Sequence, residues 1–251
     1  MNNFWTHQDN IPEGYGFGQF SLTHFALIFL SVLLIVLIIK RYKRMGSDDR
    51  LLMRRQIAVI LLVLELAKII IMSVTDARVS YNLPLEICSF GGYTVMLDAF
   101  LEDKKIFSRM LLYLFLPAAT MSIFFPTTSI LPVLNAFTIH QFLFHVLIVA
   151  YALMRYAAGE IEPDYPSVWK SIMAISLIAL CVYIIDYVFK RNFMFLMGTY
   201  DNFMLDKIWN LTGGGVMYDL GLTVFSMIVI HIFYCLFAML SKLPKSALNK
   251  E

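Results

Sequence analysis

A series of seven apolar runs constrains the fold of this sequence more than any motif does. A membrane-spanning helix needs about 20 predominantly apolar residues, and that rule places spans near residues 20–39, 56–75, 84–101, 106–125, 131–154, 168–189 and 216–241. The composition agrees, because only 15% of the 251 residues are charged, whereas soluble chains carry roughly 25%. We predict an all-α membrane protein with about seven transmembrane helices, forming a single polytopic membrane domain over residues 1–251.

The basic residues between the spans predict the orientation of the chain in the membrane. The segment between the first two spans contains Lys40, Arg41, Lys43, Arg44, Arg50, Arg54 and Arg55, and the positive-inside rule assigns such a segment to the cytoplasm. Alternation then places the loop that begins with Arg155 inside. The N-terminus is expected outside the cell, and the lysine-containing C-terminus is expected in the cytoplasm.

Charge and cysteine usage exclude several classes of function. The net charge of +2 is small and the basic residues are scattered, so the sequence does not predict a nucleic-acid surface. The three cysteines, Cys88, Cys181 and Cys235, lie far apart in apolar runs and form neither a disulfide framework nor a CxxC motif. No residue pattern calls for a metal or an organic cofactor, and we expect none.

Ionisable and polar groups at membrane depth are the natural candidates for function, because they are costly to place there. With a helical rise of about 1.5 Å per residue, the predicted spans put His24, Cys88 and His140 within several ångströms of a common depth. His145 lies about 7 Å deeper than His140. Further candidates near the outer ends of the spans are Glu86, Asp186 and Asp219.

Cys88 is the candidate nucleophile. In the segment LPLEICSF, Pro84 suits the first turn of a helix, which leaves Cys88 near the positive N-terminal end, where a thiolate is favoured. A thiolate attacks an ester carbonyl when a neighbouring histidine takes the thiol proton and hydrogen-bond donors stabilise the oxyanion. The alternative, a buried cysteine that acts as a small apolar residue, stays open for Cys88 and is our interpretation of the other two cysteines.

Two histidines and one pair of charges are further polar features within the spans. His140 and His145 in HQFLFH are about 140° apart around a helix, so they face different directions and one of them is expected to be the base. A structural hydrogen bond to another helix is the alternative for either histidine. Glu65 and Lys68 have the spacing of an ion pair within one helix, although a proton or ion path through Glu65 is also open.

The order and spacing of four segments resemble a known family. They are FSLTH with His24, LPLEICSF with Cys88, HQFLFH, and RNFMFL with Asn192. Together they resemble the YwaF-like bacterial integral membrane proteins and their eukaryotic relative, transmembrane protein 164. At the level of fold, the chain is also similar to the androgen-induced family of membrane lipid hydrolases, which use a threonine and a histidine.

This resemblance implies a bacterial plasma-membrane enzyme that acts on lipid acyl chains, since the eukaryotic relative is described as a cysteine-dependent acyltransferase between phospholipids. It implies Cys88 as the nucleophile, His140 or His145 as the base, and a phospholipid or lysophospholipid as the partner. We therefore expect an acyltransferase or acyl hydrolase that works in the outer half of the bilayer. Candidate substrate-binding residues are His24, Glu86, Asn192 and Asp219.

The alternative function is a small-molecule transporter or substrate-binding membrane component. In such a protein Glu65, Lys68 and Asp186 would matter more than Cys88. The sequence shows no internal repeat, a feature that many secondary transporters have, and this weighs against the alternative.

Overall fold

The computed structural model describes residues 3–7, 10–12, 14–75, 83–101, 105–200 and 202–242, and each regular element within those ranges is helical. The α-helices are α1 Leu22–Lys43, α2 Ser47–Thr75, α3 Ile87–Phe100, α4 Lys105–Met110, α5 Leu116–Phe124, α6 Ala136–Ala157, α7 Tyr165–Phe189, α8 Phe203–Thr212 and α9 Gly215–Lys242. A π-helical turn, Leu111–Phe115, joins α4 to α5. Two 3-10 turns occupy Thr127–Ile130 and Phe193–Phe195.

Six helical stretches in the described ranges are long and apolar enough to cross a membrane, so the chain is a multi-pass helical membrane protein. They are Leu22–Lys43, Ser47–Thr75, Lys105–Ile130, Ala136–Ala157, Tyr165–Phe189 and Gly215–Lys242. The predicted third span, residues 84–101, corresponds to α3, which has 14 residues. A helix of that length covers about 21 Å, less than the hydrocarbon core of about 30 Å. The described ranges therefore contain six apolar helical stretches of spanning length and one shorter apolar helix, α3.

Local capping moves several helix boundaries away from their predicted positions. α2 begins at Ser47 rather than near 56, because Asp48 and Asp49 lie in its first turn, where negative charge stabilises a helix. α6 begins at Ala136 rather than near 131, because Asn135 caps it by accepting the Phe137 N–H at 2.9 Å. His140 is consequently about one turn inside α6, not two. The predicted cytoplasmic tail beyond Lys242 lies outside the described residues.

The core of the bundle surrounds α6. Two thirds of the residues in the most apolar 18-residue stretch of α6 are buried, compared with about a tenth in the corresponding stretches of α1 and α9. Helices α1, α2, α3 and α5 all pack against α6. The outer helices keep large apolar side chains exposed, as expected for surfaces that face lipid.

The π-helical turn results from Pro117, and it shapes the packing around α3. The Leu116 N–H donates to the Leu111 carbonyl, which widens the turn just before Pro117, whose ring would otherwise crowd the carbonyl four residues earlier. Two glycines of α3 face this region closely. A Cβ atom at Gly91 would lie 3.2 Å from the ring of Phe115, and one at Gly92 would lie 3.0 Å from the ring of Phe144. The glycines therefore let α3 approach α6 and the π-helical turn.

A buried ionic network ties α3 to α6 at the end away from Cys88. The Asp98 carboxylate accepts hydrogen bonds from Tyr151 Oη at 2.7 Å and from the Arg155 guanidinium. Arg155 also donates to Glu160 at 3.0 Å, and Glu160 accepts from Tyr42 Oη at 2.8 Å. From the sequence, Arg155 is expected in a loop, where its charge predicts only the orientation of the chain in the membrane. It lies in the last turn of α6 and is buried.

Asp164 is the N-cap of α7, which explains why this helix begins at Tyr165 rather than near 168. Its Oδ2 accepts hydrogen bonds from Ser167 Oγ at 2.5 Å and from the Ser167 N–H at 3.1 Å. The Arg109 guanidinium contacts the same oxygen at 3.2 Å. The hydrogen bonds from Ser167, together with Arg109, lower the pKa of Asp164 below its ordinary value.

We expect Asp164→Ala to lower the free energy of unfolding by about 1 kcal/mol, the usual cost of losing an N-cap. Because the native pKa is lowered, this contribution is complete above the unfolded-state pKa and is lost as the pH falls through the native pKa. Thermal unfolding in detergent at about pH 7 and about pH 3 measures it. Asp164→Asn, which keeps the cap acceptor, is the control at neutral pH. An equal effect of Asp164→Ala at both pH values would contradict this account.

Candidate functional site

Cys88 is the second residue of α3 and is half-buried. The helix begins at Ile87 with Glu86 in the N-cap position, so Pro84 precedes the helix and the prediction that it occupies the first turn is wrong. The sulfur nevertheless lies at the positive N-terminal end, where a thiolate is favoured. The sulfur lies 3.7 Å from Ser122 Oγ of α5, which is within hydrogen-bonding distance for sulfur.

The packing of α3 on α6 brings Cys88 level with the first histidine of HQFLFH. Gly92 faces Phe144, and Asp98 bonds Tyr151 about two turns further along both helices, so the two helices run parallel with a constant offset. One turn in the opposite direction along both helices, the same offset puts Cys88 at about the level of His140 and Gln141. The common depth of the thiol and this imidazole in the membrane stays a prediction.

Gln141 connects the Cys88 side of the bundle to His145. Its side-chain Nε2 donates to the Ser122 backbone carbonyl at 3.3 Å, and the Gln141 backbone carbonyl lies 2.5 Å from His145 Nδ1. Since a carbonyl only accepts, Nδ1 of His145 carries the proton, and Nε2 of the neutral ring has the lone pair that a base needs. His145 is thus oriented as a proton acceptor one turn deeper than Gln141, on the same side of α6.

His140 faces a different neighbour, the buried carboxylate of Glu65 on α2. His140 Nε2 lies 3.9 Å from Glu65 Oε2, and its ring stacks on Phe144 with centroids 5.2 Å apart. The other carboxylate oxygen, Oε1, accepts hydrogen bonds from Lys68 Nζ at 2.6 Å and from Ser89 Oγ at 3.0 Å. The predicted pairing of Glu65 with Lys68 is confirmed, and the two histidines face different groups, as their spacing indicated.

His24 and Asn192 bind backbone groups near the site. His24 is fully buried, its Nδ1 accepts the Phe20 N–H at 3.0 Å, and its Nε2 contacts the Ile123 carbonyl at 3.0 Å. Nδ1 therefore binds the turn that precedes α1, and Nε2 joins α1 to the end of α5. The Asn192 side chain closes its own loop, with Nδ2 donating to the Gly198 carbonyl at 3.0 Å and Oδ1 accepting the Met197 N–H at 2.7 Å.

Glu86 and Asp186 hold the turn that follows α7 against the start of α3. Glu86 Oε2 accepts the Met194 N–H at 2.9 Å, and the Asp186 carboxylate accepts the Phe193 N–H at 2.9 Å. Met194 has a φ of 54°, a left-handed conformation that is rare for residues other than glycine. Asp219 lies on α9, where its Oδ1 is buried without a hydrogen-bond partner in the part of the chain that the structure describes.

Sequence reasoning missed three residues of this cluster: Ser89, Ser122 and Gln141. Ser89 directly follows Cys88, and Gln141 directly follows His140, so proximity in sequence was a signal for both. Ser122 had no signal, because a serine in an apolar helix commonly bonds a carbonyl of its own helix, as Ser122 does with Ala118 at 3.2 Å. Among the residues that the structure describes, no group of three histidine, cysteine or acidic side chains could hold a metal ion.

The fold and the site define a multi-pass helical membrane protein with a thiol, two imidazoles and a charged pair clustered inside its bundle. The chain matches the TMEM164 family over residues 19–238, a range that contains the whole cluster. It belongs to this family, and the resemblance to transmembrane protein 164 is confirmed. Comparison with curated proteins gave no match, and no solved structure matched the chain.

Proposed function

We propose that this protein is a lipid acyltransferase or acyl hydrolase that acts on phospholipid or lysophospholipid esters through a thioester at Cys88. One observation carries the proposal: inside an apolar bundle, a thiol at a helix N-terminus is linked to the His145 imidazole through Ser122 and Gln141. Polar groups at this depth are costly, and thiol with imidazole is the pairing that acyl transfer requires. Membership of the TMEM164 family is in keeping with it.

The first half of the reaction forms the thioester. The thiol needs a base at the moment of attack, because the thiolate and not the thiol is the nucleophile. His145 Nε2 takes the proton, the sulfur bonds to the ester carbonyl, and the carbon–oxygen bond to the lipid breaks. The imidazolium then returns the proton to the departing lipid oxygen, which leaves as an alcohol.

We place the N-terminus outside and the C-terminus in the cytoplasm, with α3 entering the membrane from the outer side as a short seventh helix. The supporting observation is the cluster of basic residues at the end of α1 and the start of α2, which the positive-inside rule assigns to the cytoplasm. Cys88 then lies in the outer half of the bilayer. The resemblance to YwaF-like proteins supports the bacterial plasma membrane as its location.

The test is intact-mass spectrometry of the purified protein after incubation with a phospholipid of defined acyl chains. We expect an acyl adduct on the wild type and none on Cys88→Ala, with lipid turnover lowered by on the order of 10³-fold or more, as for loss of a nucleophile. A variant with both Cys181→Ala and Cys235→Ala is the matched control and keeps the adduct. Unchanged turnover in folded Cys88→Ala would overturn the proposal, and solute flux that does not need Cys88 would favour the transporter alternative.

A further inference from the structure

We infer that Glu65 and His140 form the binding site for the hydroxyl group that accepts the acyl chain from Cys88. The inference rests on the proposed thioester function and adds the chemistry of the second substrate. That substrate is a hydroxyl compound, either water or a lysophospholipid. The inference also gives the two histidines separate roles: His145 takes the proton of the thiol, and His140 binds the acceptor hydroxyl.

Two buried atoms without partners carry the inference. Glu65 Oε2 and His140 Nε2 lie 3.9 Å apart, and within the described residues neither atom has a hydrogen-bond partner. Buried polar atoms are normally hydrogen-bonded, because leaving them unpaired costs free energy. The separation is too long for a direct hydrogen bond, yet one oxygen atom at about 2.8 Å from each atom would satisfy both.

A hydroxyl group matches the chemistry of this gap. A carboxylate only accepts, whereas an imidazole N–H donates, so a hydroxyl can donate its proton to Glu65 Oε2 while its oxygen accepts from His140 Nε2. Stacking of the His140 ring on Phe144 holds Nε2 in position, and Phe144 in turn packs against Gly92 of α3. The pair is thereby oriented by the same helix that carries Cys88.

The anchoring of Glu65 leaves one oxygen available for this task. Lys68 and Ser89 both bond Oε1, and the ammonium of Lys68 balances the buried carboxylate charge, which would otherwise be very costly at this depth. Ser89 is also the neighbour of Cys88 in the chain. A hydroxyl bound at Oε2 would therefore lie next to the α3 turn that carries the thioester.

In the second half of the reaction, the acceptor hydroxyl attacks the thioester at Cys88. Glu65 Oε2 takes the hydroxyl proton, the hydroxyl oxygen bonds to the thioester carbonyl, and the carbon–sulfur bond breaks. The proton passes from Glu65 to the thiolate and restores the thiol. With water as the acceptor the product is a free fatty acid, and with a lysophospholipid the product is a new phospholipid ester.

The experiment separates formation of acyl-Cys88 from its breakdown in the full-length protein in detergent. Wild type, Glu65→Gln and His140→Gln are mixed with phospholipid, and the acyl adduct is followed by rapid quenching and intact mass. We expect both variants to form the adduct within about threefold of the wild-type rate but to release it about 10²-fold more slowly, so that acyl-Cys88 accumulates. One arm adds lysophospholipid and a second uses ¹⁸O-labelled water, and the product that forms identifies the acceptor.

The rates of adduct formation and adduct release decide between the possible roles of Glu65 and His140. If Glu65→Gln and His140→Gln slow adduct formation as much as release, the pair serves the thiol and the inference is wrong. If wild type never carries an acyl group on Cys88, the proposed function itself fails. The double variant, Glu65→Gln with His140→Gln, should release the acyl group no more slowly than the slower of the two single variants. That result would support one shared site. Should Glu65→Gln not fold, His140→Gln and Ser89→Ala carry the same test.

Discussion

Replacing His145 with glutamine is expected to lower the rate of Cys88 acylation by about 10²–10⁴-fold, the usual contribution of a general base. In the structure, Nδ1 of His145 bonds the Gln141 carbonyl, so only Nε2 can accept the thiol proton. Glutamine has similar length and polarity but no comparable basicity. The rate of adduct formation, measured by rapid quenching and intact mass, should therefore fall, whereas acyl adduct formed slowly should still be released at the wild-type rate.

The matched control is His231→Gln on α9. His231 makes the same kind of bond to its own helix, with Nδ1 2.8 Å from the Met227 carbonyl, and it packs against Trp169. We expect this variant to acylate at the wild-type rate. Normal acylation in His145→Gln together with loss of acylation in His140→Gln would show that the two histidines of α6 have the opposite roles.

Replacing Arg155 with methionine is expected to lower the free energy of unfolding by about 3–5 kcal/mol. The substitution keeps an apolar chain of similar length but leaves Asp98, whose side chain is 4% exposed, as a buried carboxylate without its cation. Breaking one partner of a buried ion pair is costly because the remaining charge stays desolvated. Denaturant unfolding in detergent, followed by helical circular dichroism, measures the loss.

Two further variants separate the unpaired charge from lost packing. Combining Asp98→Asn with Arg155→Met removes both charges and keeps a hydrogen-bond partner for Tyr151, so we expect it to recover most of the stability. Arg109→Met breaks the more exposed contact with Asp164 and should cost about 1 kcal/mol or less. If the double variant were as unstable as Arg155→Met alone, the buried charge would not be the cause.

Several properties of this protein could be predicted because they depend on local sequence. The apolar runs indicated a multi-pass helical protein, since the length of an apolar stretch decides whether a helix can span a bilayer. The spacing of Glu65 and Lys68 predicted their pairing, and that of His140 and His145 predicted that they face different groups. Boundaries were less accurate, because single caps such as Asn135 and Asp164 determine where a helix begins.

Partners on other helices could not be predicted in the same way. The Arg155 side chain was interpreted as a loop charge, and its buried pairing with Asp98 depends on how α3 lies against α6. His24 was a candidate for substrate binding, yet both of its ring nitrogens contact backbone groups of neighbouring segments. Ser122 carried no sequence signal, although its hydroxyl contacts the Cys88 sulfur.

The sequence by itself determined the membrane class, the approximate spans and the position of Cys88 at a helix N-terminus. Only the tertiary structure decided which polar groups meet: Cys88 with Ser122, His140 with Glu65, and Asp98 with Arg155. The physical reason is that the position of a residue along a helix follows from counting residues. The direction that its side chain faces across the bundle depends on close packing between helices, such as Gly92 against Phe144.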